Sequence, residues 1–129
     1  MAKKKVIIID DDIDILEATK LTLRAAGYEV ITASSGQEGL GLVRAGGADL
    51  IILDVMMARD TEGFQIAQDL KDDPKLKHIP ILMMTSVSAK SGFSFDPTKD
   101  GDYLPVEDYV EKPVDPADLV KRVDKLLKK

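Results

Sequence analysis

Short runs of Val, Ile, Leu and Met recur along the chain, at residues 6–9, 28–32, 50–53, 79–84 and 109–110, and most are unbroken by polar residues. A strand with one wet face alternates apolar and polar residues, whereas an unbroken run needs cover on both faces. The segments between the runs have helical spacing. Ile15, Leu16, Thr19, Leu23 and Ala26 share one stripe that stops at Gly27, a residue suited to the left-handed turn that ends helices. Phe64, Ala67 and Leu70 repeat at three-residue steps before Pro74. The last helix has Asp115 to cap it, Pro116 at its first position, Asp118 in its first turn, and Leu119, Val120, Val123, Leu126 and Leu127 as its apolar face. Residues 35–47 predict a weaker helix, because Gly39 and Gly41 each cost about 1 kcal/mol relative to alanine. Strand and helix alternate, so the expected fold is α/β: an open, doubly wound parallel sheet with helices on both faces.

The 129 residues suit one domain and one core, and the expectation is a single domain over 1–129 with no effector domain attached. There is no cysteine, which excludes disulfides and thiolate metal sites. The basic start "MAKKK" is followed by only four apolar residues, too few for an export or membrane segment, so a cytoplasmic protein without membrane contact is expected. A net charge of −5 argues against a nucleic-acid surface and favours proteins or small anions as partners.

In such a sheet, ligands bind beyond the carboxyl ends of the strands, where the strand order reverses. The first run, "VIII", leads straight into Asp10, Asp11 and Asp12, and the third, "LIIL", leads into Asp54. Strands one and three would be neighbours, bringing Asp10 and Asp11 to face Asp54. Like charges that close repel unless a cation or a proton intervenes. Mg2+ fits, since it accepts one or two carboxylates, keeps waters and can take a phosphate oxygen as well. A single aspartate after a strand is commonly a helix cap, and Asp12 needs no other role. Thr85 closes "ILMMT" with a hydroxyl, and Lys112 in "YVEKP" adds an ammonium at the fifth strand end. A metal, a hydroxyl and a cation around one carboxylate make the setting that phosphoryl transfer requires.

"VIIIDDD", "LIILDVMM", "ILMMTS" and "DYVEKP", in that order, closely resemble the receiver domain of bacterial two-component response regulators, over essentially the whole chain. The resemblance implies a flavodoxin-like five-stranded sheet ordered 2-1-3-4-5. It implies Asp54 as phosphoacceptor, Asp11 as a direct Mg2+ ligand, Asp10 as a ligand through water, and Met56 as one through its backbone carbonyl. Thr85 and Lys112 would hold phosphoryl oxygens, Thr85 and Tyr109 would form the switch, and the Lys112–Pro113 bond would be cis. The implied donor is a phosphohistidine on a sensor histidine kinase or phosphotransfer protein. The domain would assist its own phosphorylation without being an enzyme in the ordinary sense. It would signal to a downstream protein as a monomer or weak homodimer.

Ala58 stands where the family often has proline, the interval from Thr85 to Lys112 is longer than usual, and residues 86–113, where the family has a regular fourth helix, are divided by Gly92, Pro97, Gly101 and Pro105. No regular helix longer than about two turns is expected over 86–105. Two rivals remain in view. A small phosphohydrolase of the haloacid-dehalogenase kind needs D-x-D-x-[TV], but Asp10, Asp12 and Asp14 put an acid where Thr or Val belongs. A receiver-shaped scaffold that acts without phosphate is the other. His78, the only histidine, reads as a surface residue, and "KDGD" as a turn rather than a calcium site.

Overall fold

The computed structural model describes residues 3–54, 62–86, 108–112 and 115–127. In chain order these form β1 (Lys5–Ile9), α1 (Ile13–Ala25), β2 (Glu29–Ala33), α2 (Gly36–Gly46), β3 (Leu50–Asp54), α3 (Glu62–Asp72), β4 (Ile81–Ser86), β5 (Asp108–Lys112) and α4 (Pro116–Leu126). All strand pairs are parallel, in the order β2-β1-β3-β4-β5. The α/β doubly wound fold expected from the sequence is therefore the one formed.

Period-two alternation along each strand splits the core into two layers. Ile7, Ile9, Ile51, Leu53, Ile81 and Met83 pack on one face against Leu40 and Val43 of α2 and Ile66, Ala67 and Leu70 of α3. Val6, Ile8, Leu50, Ile52, Leu82 and Met84 pack on the other against Leu16 and Leu23 of α1 and Leu119 and Val123 of α4. Both faces are covered, which is why the runs carry no polar alternation.

Local signals set the ends of the helices. Asp12 caps α1, its side chain accepting from the backbone N–H of Asp14 at 2.9 Å and of Ile15 at 3.3 Å. Gly27 follows α1 with a φ of 99°, where a side chain would be strained. Ser35 Oγ accepts from Glu38 N–H at 3.1 Å while Glu38 Oε1 accepts from Ser34 N–H at 2.7 Å, so α2 is capped despite its glycines. Asp115 accepts from Asp118 N–H at 3.2 Å at the start of α4. The expected strand over 28–32 begins one residue late, because Tyr28 turns its N–H back to Leu23 O at 3.1 Å. Its buried ring leaves the sheet ladder to pack with the α1 and α4 side chains. The run at 79–84 likewise enters the sheet only at Ile81, since Ile79 N–H closes a turn on Leu76 O at 3.0 Å. The segment 86–105, apart from Ser86, and the Lys112–Pro113 bond lie outside the described residues.

The Tyr28 hydroxyl donates to Asp124 Oδ1 and ties the start of β2 to α4. Burial raises the Tyr28 pKa, and the hydrogen bond to Asp124 and its charge raise it further. The folded state therefore holds the phenol proton more tightly than the unfolded chain, whose tyrosine titrates near pH 10. This contribution is complete below about pH 10 and is lost as the pH rises above it. Tyr28→Phe is expected to lower stability by about 1 kcal/mol at neutral pH and to flatten the alkaline decline. Urea unfolding followed from pH 8 to pH 11 checks it; equal alkaline slopes in both proteins would refute the coupling.

Candidate functional site

The register places the acids. Ile9 pairs with Ala33 on one side and Leu53 on the other, so Asp10 follows β1 beside Asp54, the last residue of β3. One oxygen from each of Asp10, Asp11 and Asp54 lies within 4.8 Å of the others. Asp10 is 0% exposed and Asp54 2% exposed, while Asp11 opens to solvent. Among the described residues this is the one acidic group with metal-binding geometry.

The three consecutive aspartates have three different roles. Asp12 caps α1 and faces solvent. Its backbone N–H donates to Asp10 Oδ1 at 2.9 Å, and the Asp10 N–H donates to Ala33 O at 3.1 Å, so both the carboxylate and the backbone of Asp10 are held. Asp11 is exposed like Asp12, but its carboxylate belongs to the cluster with Asp10 and Asp54. Two full charges at this separation repel by about 3 kcal/mol at an effective dielectric of about 20. A cation between the carboxylates relieves that repulsion. The all-oxygen donor set of the cluster fits a hard divalent cation such as Mg2+.

The backbone also brings Thr85 and Lys112 to this end of the sheet. Asp54 pairs with Met84, whose neighbour Thr85 pairs with Glu111, and Ser86 pairs with Lys112. The side chains of Thr85, Tyr109 and Lys112 and the whole of Met56 lie outside the described part. His78 is exposed, as expected.

The response regulator receiver domain family matches residues 6–124, and the chain belongs to that family. The chain is 35% identical over 127 residues to "Probable transcriptional regulator ycf27" of Cyanophora paradoxa, an overlap of 98% of this chain and 49% of that protein. To the phosphate regulon transcriptional regulatory protein PhoB of Pseudomonas aeruginosa it is 33% identical over 129 residues, 100% of this chain and 54% of that one. The chain thus spans about half the length of these curated relatives. The solved chemotaxis protein CheY4 of Vibrio cholerae has a similar fold, with a TM-score of 0.82 and 32% identity over 97% of this chain and 99% of that one. Receiver domains are in general signalling domains rather than enzymes, and they bind Mg2+ at an acidic pocket. Among the described residues, no helix is long and apolar enough to cross a membrane.

Neutralising one of the crowded carboxylates is expected to relieve the folded state. In metal-free buffer Asp54→Asn should be more stable than the parent by about 1 kcal/mol. Urea unfolding in the presence of a chelator measures this. A destabilised variant would show that the Asp54 charge is already compensated within the chain.

Proposed function

We propose that the chain is a phosphorylation-dependent signalling domain in which Asp54 accepts a phosphoryl group, with Mg2+ held by Asp10 and Asp11 beside it and by Met56 through its carbonyl. The observation that carries this reading is a buried carboxylate at a strand end, with an oxygen within 4.8 Å of those of two others that follow the neighbouring strand. When bound, the metal would neutralise charge on the phosphoryl oxygens. Asp54 supplies the nucleophile: a P–O bond forms to its carboxylate as the P–N bond to a donor phosphoimidazole breaks, leaving the imidazole to take a proton. Burial limits the orientations open to Asp54, and the hydrogen-bonded backbone around Asp10 helps keep the acid cluster from rearranging during transfer. Thr85 and Lys112, at the ends of the two adjacent strands, are the proposed partners of the phosphoryl oxygens, and Thr85 with Tyr109 the switch.

Family membership implies a histidine kinase or another phosphodonor as partner. The downstream target is proposed to be a protein. Some relatives are named transcriptional regulators, but a net charge of −5 supports a protein target over a polyanion.

Incubation with acetyl phosphate and Mg2+, followed by mass spectrometry, separates the alternatives. One phosphoryl group on the parent and none on Asp54→Asn is the expected result. Steady hydrolysis without accumulation would indicate a phosphohydrolase, and no reaction a phosphate-independent scaffold. Independently, Asp11→Ala is expected to weaken Mg2+ binding at least about tenfold, or about 1.4 kcal/mol, by calorimetry. Unchanged affinity would remove Asp11 from the metal site.

A further inference from the structure

Two glycines of α2, two residues apart, meet different surroundings. A Cβ at Gly41 would touch nothing within 4 Å, and the position is exposed. A Cβ at Gly39 would lie 2.6 Å from Ile9 Cγ1 and 3.4 Å from Cγ2, with Ile9 Cδ1 nearest of all. Real Cβ atoms do not approach carbon so closely, so something would have to move. Ile9 is fully buried, with Ala33 and Leu53 beside it across the sheet. Its side chain lies in the densely packed layer under α2 and α3, and small shifts there pass to the backbone rather than being absorbed.

That backbone is the end of β1. The residue after Ile9 is Asp10, held by its N–H to Ala33 O at 3.1 Å, and the residue after the facing Leu53 is Asp54. We propose that Gly39 is a positioning residue for the cation site: its missing side chain lets α2 seat Ile9 so that Asp10 and Asp11 stand at the right distance from Asp54. The glycine is unfavourable within the helix, and the close approach to Ile9 is what it provides in return. A methyl there would push β1 relative to β3 and spread the carboxylates, which a metal demanding near-ideal octahedral geometry tolerates poorly. The inference rests on reading the acid cluster as a Mg2+ site.

The test is Mg2+ titration, by calorimetry or NMR, of the parent, Gly39→Ala and Gly41→Ala. Both substitutions add the same methyl to the same helix, but only one meets Ile9. Gly39→Ala is expected to bind Mg2+ about tenfold more weakly, with Gly41→Ala at parental affinity. A parent that binds no Mg2+ overturns the reading of the site itself. A parent that binds, alongside Gly39→Ala of equal affinity, overturns only the positioning role. Equal weakening in both variants also overturns it, since the effect would then belong to the helix rather than the contact. Should Gly39→Ala not fold, Ile9→Ala alone and paired with Gly39→Ala carry the test, because the isoleucine atoms in the way are gone. A pair that binds Mg2+ as Ile9→Ala does supports the contact as the cause, and a pair still about tenfold weaker refutes it.

Discussion

Two buried carboxylates facing each other across neighbouring strands are the constraint on which the rest of the molecule depends. Asp10 and Asp54 are brought together by the β1–β3 register, and like charges so close repel. Their repulsion has to be carried by a structure too rigid to let them part. The two apolar layers supply that rigidity, since each central strand is gripped from both sides by helices, of which α1, α2 and α4 have capped starts. A fold covered on a single face would leave the strand ends freer to separate.

Rigidity alone would not distinguish the acids from one another. The distinction comes from the backbone just after β1, where the chain leaves the sheet and enters α1 within three residues. Asp10 still belongs to the strand in its N–H bond, Asp12 already belongs to the helix as its cap, and Asp11 lies between them. The helix cap and the acid site are therefore one piece of structure: the N–H of the capping residue is the donor that holds Asp10. A helix N-terminus so close also contributes favourable potential to the carboxylates, on the order of 0.5 kcal/mol.

Much of this was legible in the sequence because it depends on periodicity and on charge at strand ends. The unbroken apolar runs announced a sheet covered on both faces, and the aspartates after "VIII" and "LIIL" announced the acid cluster. Capping residues announced themselves too, Asp115 and Gly27 among them. What could not be read is what depends on register and close packing. Tyr28 looks like strand by composition, but its ring is used in the layer between α1 and α4, and its hydroxyl reaches Asp124, far away in sequence. Ile79 looks like the start of β4 but closes a turn first. The glycines of α2 looked like one weakness repeated, whereas the two positions are unlike.

The contrast between those glycines bears on how such a site is kept. Helix propensity acts on Gly39 and Gly41 alike, so it cannot explain why only one of them lies against the sheet. Burial separates them: Gly39 is enclosed and Gly41 is not. At the enclosed position the helix is already capped by the Ser35 and Glu38 pair one turn earlier, and Gly39 N–H closes on Ser35 O at 3.0 Å. The capped turn offsets the flexibility of the glycine where the helix must come closest to β1. Local stabilisation at the start of α2 thus allows close packing at its second turn, and that packing lies one residue from the carboxylates whose spacing any bound cation would have to match.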